Sequence, residues 1–165
     1  TQNCCYKLIN ENEMVWKLLK YNTNDAWKMP NLTKEEKIAL IYPGTPDYEE
    51  DYNVYFDTAQ DDVYTKVMTM LRIVVYEIIP DNSVYGDILM GFEIFSHYKT
   101  NTMSNGTTKV DVITQQIIQV FNGQFVEGVG TLIFNKQRSA RCRAFESGLK
   151  PYKGKILLFA NNCLS

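Results

Sequence analysis

Val67-Met68-Thr69-Met70-Leu71-Arg72-Ile73-Val74-Val75-Tyr76-Glu77-Ile78-Ile79, then Pro80-Asp81-Asn82-Ser83, then Ile88-Leu89-Met90-Gly91-Phe92-Glu93-Ile94-Phe95-Ser96-His97-Tyr98 is the stretch that decides the fold. Both outer runs are rich in β-branched and aromatic residues, and the turn-forming segment between them is short. They therefore read as the two strands of a long antiparallel hairpin. Alternation along the second run puts Ile88, Met90, Phe92 and Ile94 on one face and Gly91, Glu93 and His97 on the other. The first face is expected to meet the core and the second to be half solvated. His97 then stands near a strand end as a satisfied surface histidine.

Downstream, a polar loop over residues 101–108 leads to the clearest helical pattern in the chain. Val110, Ile113, Ile117, Val120 and Phe121 recur at spacings of three and four, Asp111 sits in the first turn, and Asn122-Gly123 supplies the stop. This apolar stripe is expected to lie across the hairpin. Gly128-Val129-Gly130-Thr131-Leu132-Ile133-Phe134 reads as a strand that begins through two glycines, and Ile156-Leu157-Leu158-Phe159 as a closing strand. The dinucleotide fingerprint follows a strand and opens a helix, so Gly128 and Gly130 are expected to form a bulge or flexible lead-in instead of a phosphate cradle. Upstream, Asn10 with Glu13 resembles a capping box before Met14, Trp16, Leu18 and Leu19, and Thr33 with Glu36 does the same before Ile38, Leu40 and Ile41. Pro43-Gly44 stops the second of these short helices. The fold class expected is α+β: a small, mostly antiparallel sheet with a long hairpin, one main amphipathic helix packed on it, and short N-terminal helices.

With 165 residues, the chain has the length of one domain, with a helical and acidic part over 1–62 and the hairpin, helix and closing strands over 67–159. Its 45% hydrophobic and 22% charged residues exclude disorder, collagen and coiled coil. No apolar run reaches the roughly 18 to 20 residues of a membrane helix, and the opening Thr1-Gln2-Asn3 shows no basic and apolar leader, so a soluble protein without an address is expected. The single histidine removes chemistry that needs two imidazoles. Cys4, Cys5, Cys142 and Cys163 have neither CxxC nor zinc spacing and read as reduced thiols. Two glycosylation sequons, at Asn31 and Asn105, match a pattern too frequent by chance to establish secretion.

Charge is divided unevenly. The net charge is -2, but residues 1–108 carry -7 and residues 109–165 carry +5. Residues 43–62 hold Asp47, Glu49, Glu50, Asp51, Asp57, Asp61 and Asp62 without a Lys or Arg, interrupted by the strand-like Tyr52-Asn53-Val54-Tyr55-Phe56. A calcium loop needs alternating ligands around a Gly and a distal Glu, and that spacing is absent. Lys136, Arg138, Arg141, Arg143 and Lys153 make the opposite, basic segment. Two readings stand: solvated faces of opposite sign, or an acidic patch on one copy meeting a basic patch on the next. On the second reading Asp47, Glu49, Glu50, Asp51, Asp61, Asp62, Lys136, Arg138, Arg141, Arg143 and Lys153 are the interface residues. A basic edge could also touch a phosphate backbone, although the pI of 5.4 argues against a dedicated nucleic-acid binder.

The order of elements over residues 67–159 resembles the small neck and tail-completion proteins of tailed bacteriophages. The segments that carry the resemblance are the long strand at 92–98, the helix at 109–123 ending in Asn-Gly, the strand Gly128-Val129-Gly130-Thr131-Leu132-Ile133-Phe134 and the closing Tyr152-Lys153-Gly154-Lys155-Ile156. The resemblance implies a homohexameric ring at the phage neck, most of all a tail terminator that caps the tail tube and docks to the head connector, or else a head-closure ring. It implies partners in further copies of the chain and in neighbouring neck and tail-tube proteins. DNA would pass through the lumen without sequence-specific binding, and no membrane would be involved. The implied location is the virion, after assembly in the bacterial cytoplasm. No cofactor, metal or catalytic residue is expected. Two other classes compete: a hydrolase using Glu77, Glu93 or His97, and a secreted binding module in which Cys4 or Cys5 pairs with Cys163.

Overall fold

The computed structural model describes residues 1–44, 51–56, 66–80, 86–134, 142–145 and 151–162. Helices α1 (Gln2–Glu11), α2 (Met14–Lys20) and α3 (Lys34–Ala39) precede a short strand β1 (Val54–Tyr55) and the hairpin strands β2 (Thr69–Pro80) and β3 (Gly86–His97). One helical turn, α4 (Tyr98–Asn101), joins them to α5 (Lys109–Phe121). Strands β4 (Gln124–Val126), β5 (Gly130–Ile133), β6 (Cys142–Phe145) and β7 (Tyr152–Asn162) follow. The fold is α+β, as expected.

All the strands join one sheet in the order β1-β2-β3-β7-β5-β4, with β6 paired to β7. Among the described strands only β1 runs parallel to its neighbour, β2. Strands β5 and β6 lie in series along one edge of β7, β5 against residues 160–162 and β6 against residues 154–157. The expected strand at 128–134 begins as a turn instead. Val126 pairs with Gly130, and Gly128 and Gly130 have φ of +76° and +98°. Residues with side chains rarely adopt that backbone, and the two glycines close a β4–β5 hairpin.

Helix α5 is capped at Thr108, whose Oγ1 accepts from Asp111 N at 3.2 Å. Its expected stripe, Val110, Ile113, Ile117, Val120 and Phe121, is buried throughout. Phe121 lies 4.9 Å from Phe92 of β3, and Phe92 lies 5.5 Å from Phe159 of β7, ring centre to ring centre. Helices α1 and α2 complete this core with Cys4, Leu8, Val15, Trp16, Leu18 and Leu19.

The opposite face of the sheet is not half solvated as expected. Tyr52, Tyr55, Met68, Met70, Phe95 and Tyr152 form a second apolar cluster there. Glu93 and His97 are accordingly buried, at 3% and 5% exposure. His97 is therefore no surface histidine. It ends β3 and caps α4, its Nδ1 accepting from Lys99 N at 3.2 Å, between the rings of Tyr98 and Tyr152. Burial, and then the nearby Lys99 charge, hold its pKa below the usual imidazole value.

The expected short helix up to Lys20 is present as α2, and α1, which contains Asn10, precedes it unexpected. Asn12 breaks the chain between them with an extended backbone, its Oδ1 accepts from Val15 N at 2.9 Å, and its Nδ2 donates to Gln116 of α5 at 2.8 Å. Asn12, not Asn10, thus supplies the side-chain acceptor at the start of α2. The Thr33–Glu36 capping box is present as expected, with Glu36 N donating to Thr33 Oγ1 and Thr33 N to Glu36 Oε2. In α3, however, Ile38 is exposed and Lys37 is buried. The Lys37 ammonium donates to Ile9 O at 2.9 Å, Asn12 O at 3.2 Å and Glu13 Oε1 at 2.7 Å, satisfying carbonyls that the end of α1 leaves free.

Lys109 is a second buried ammonium, fully enclosed at the start of α5. It donates to Tyr21 O at 2.5 Å and Thr100 Oγ1 at 2.8 Å, joining the end of α2 to α4. Burial pushes its pKa down to about 8.

Two predictions follow from this packing. Ile117→Ala should cost about 2 to 5 kcal/mol in a urea melt, because it removes a fully buried side chain between helix and sheet; an unmoved midpoint would mean that α5 does not pack there. Between pH 8 and 10.5, native Lys109 releases a proton that the unfolded chain still holds, so wild-type stability should rise with pH relative to Lys109→Met. The difference between the two proteins should grow by roughly 1.4 kcal/mol per pH unit inside that window. Parallel stability curves would refute the buried cation.

Candidate interaction surface

Strand β2 leaves its neighbour early. Leu71 and Arg72 pair with β1, but from residue 73 to 80 no described strand lies on the outer side of β2. Among the described residues this length of β2 has no strand on its outer side, and a strand edge of that kind is a template for a further strand. Here the sheet also outruns its core. Val75, Tyr76, Glu77 and Ile78 are exposed in succession, so both faces of the strand are open, with Ile78 at 66%. Facing residues of β3, 86–89, are half-buried. The distal hairpin is an arm with apolar side chains on a polar, open edge.

A bulge sits within the arm. Pairing passes from Val75 with Met90 to Glu77 with Leu89, leaving Tyr76 as the extra residue. Its ring lies over Gly91, where any Cβ would overlap it, and its hydroxyl donates to Glu93 Oε1. Arg72 Nε donates to the other oxygen, Glu93 Oε2, and forms an ion pair with it. Partial burial, then the hydrogen bond to Glu93 and its charge, push the Tyr76 phenol up to about 12. Arg72 and Tyr76 thus each take one oxygen of the buried Glu93 carboxylate.

A second surface is an apolar groove of about 690 Å³ between α1 and α3, lined by Cys5, Tyr6, Ile9, Ile38, Ile41 and Phe56 among others. Burial and the adjacent Cys4 push the Cys5 thiol up to about 12, which disfavours the thiolate form. Cys4 and Cys5 are free thiols. Among the described residues no group of three or more His, Cys, Asp or Glu could hold a metal ion.

Of the charged interface residues expected from the sequence, two can be placed fully. Asp51 is exposed and paired with Lys66, and Lys153 is exposed on β7 opposite Ser96 of β3. Arg143 has its backbone on β6, paired with Ile156. Asp47, Glu49, Glu50, Asp61, Asp62, Lys136, Arg138 and Arg141 lie outside the described residues, as do the hairpin turn at 81–85 and Cys163. The arm was not among the expected sites. Its signal was the run Ile73-Val74-Val75-Tyr76-Glu77-Ile78-Ile79, apolar but for Glu77, which supplies side chains for two faces where the main helix can cover only one.

The sequence matches the YomW family over residues 12–147. The chain belongs to that family. YomW is a phage-associated family, so this is a phage-associated protein, and the affiliation expected from the resemblance holds at that level. No curated protein and no solved structure matches the chain.

For a YomW chain with such an arm, Ile78→Lys should leave the urea midpoint within about 0.5 kcal/mol of wild type, as exposed positions do. A large loss of stability would show that Ile78 is packed.

Proposed function

We propose that the chain is a virion structural protein that forms a ring at the phage neck, acting as the tail terminator that caps the tail tube and docks to the head connector. The observation that carries this reading is the distal arm, a strand edge without a described partner that bears exposed Val75, Tyr76 and Ile78. A monomer has no use for such an edge, whereas an assembling subunit buries it. Membership of a phage-associated family supports the same reading. The -7 and +5 halves of the chain add the complementarity that head-to-tail contacts require. Its partners are then further copies, the neighbouring neck and tail-tube proteins, and DNA passing through the lumen unread. Assembly takes place in the bacterial cytoplasm. A head-closure ring is the alternative that the same surface serves.

Phage complementation tests the reading. Ile78→Lys and, separately, the triple change of Arg138, Arg141 and Arg143 to Glu should leave the subunit folded and block assembly, since like charges at an interface cost several kcal/mol at every contact of a ring. Filled heads without tails, alongside tails of irregular length, are expected from a terminator; heads that leak DNA would identify the closure protein. Self-association measured by light scattering should weaken with salt, because screening acts over a Debye length of about 8 Å at physiological ionic strength. Normal infectious particles from both variants would overturn the proposal.

A further inference from the structure

We propose that Tyr76 is a latch that fixes the hairpin arm to the body of the sheet and thereby sets the shape in which the arm meets a partner. The inference rests on the reading of the arm as an assembly surface, and it adds how that surface is held.

The geometry is specific. Without a bulge, Tyr76 would continue the alternation of β2; as the bulged residue its ring folds over β3 and reaches Glu93. The path is open because position 91 is glycine. Gly91 has no positive φ, and the three atoms nearest to a Cβ at that position all belong to the Tyr76 ring, so the missing side chain makes room for this contact. The anchor is firm as well. Glu93 is buried in the middle of β3, between β2 and β7, and Arg72 holds its second oxygen from the last position at which β2 is braced by β1. The latch thus spans the boundary between braced and unbraced β2. Beyond it, Glu77 and Ile78 are exposed, and among the described residues their strand pairing is with β3 alone. Past Leu89, which still pairs with Ala160 of β7, residues 78–80 and 86–88 form a two-stranded ribbon. Such a ribbon is marginal without a packed face, so one charge-assisted hydrogen bond at its root controls how often it bends away.

Hydrogen exchange on the purified chain tests this. Tyr76→Phe removes the hydroxyl and keeps the ring; amides of residues 73–80 and 86–90 should exchange at least about tenfold faster, with α5 unchanged, as expected for losing a hydrogen bond to a charged group. Gly91→Ala supplies the second arm of the test, since its Cβ expels the ring and should loosen the same amides. In a Tyr76→Ala background Gly91→Ala should have no further effect. Unchanged exchange in Tyr76→Phe, or additive effects in the double variant, would overturn the latch. Sedimentation of Tyr76→Phe separates the two claims: faster exchange with weakened self-association supports both, whereas faster exchange with unchanged association supports the latch and removes the arm as the assembly surface.

Discussion

Phe92 is held between Phe121 of α5 and Phe159 of β7, and most of the architecture depends on that contact. It lies on β3, which pairs with β2 on one side and β7 on the other. An aromatic at this crossing fixes the height of the helix above the sheet and the register of three strands together. Offset and edge-to-face ring pairs add directional preference to the burial that drives them. On the reverse of β3, Phe95 anchors the second cluster, so the strand is gripped from both faces.

Around this centre the helices are joined by polar pins. The Lys37 ammonium closes the corner between α1 and α2, and Lys109 does the same where α2, α4 and α5 meet. Asn12 and Asn53 act similarly with neutral amides, Asn53 Nδ2 donating to Leu19 O at 2.7 Å and to Thr69 O at 2.9 Å. Lys37, Lys109 and Asn53 satisfy backbone carbonyls, and Asn12 the backbone N–H of Val15, that the short helices and strands leave without partners. Short elements produce many loose ends, and burying a few long polar side chains resolves them.

What the sequence revealed and what it concealed divide along this line. The hairpin, the stripe of α5 and the Thr33 box are local patterns, and the structure retains each of them. Helix α1 was hidden because Thr1 gives it no side-chain cap and its buried Cys4, Cys5, Leu8 and Ile9 resemble any scattered apolar set. Burial of Lys37, Glu93 and His97 was illegible for another reason. Their charges mark them as exposed, and only distant residues, such as Ile9, Arg72 and Tyr152, cover or satisfy them. The arm was legible as a strand, yet its lack of cover is a property of what does not pack on it. The charged interface was inferred from composition, and Asp51 and Lys153 are the members whose side chains are placed.

The serial arrangement of β5 and β6 has a consequence for engineering the chain. Ile133 faces Ala160 and Cys142 faces Leu157, so nine steps of the chain correspond to three steps of β7. One edge of a single strand is thus shared by two separate lengths of chain, each held by its own short ladder. Lys136, Arg138 and Arg141 fall between those two lengths in the sequence. Because loop closure grows only slowly more costly with length, a change in the number of residues between two such ladders need not move the strand that they share.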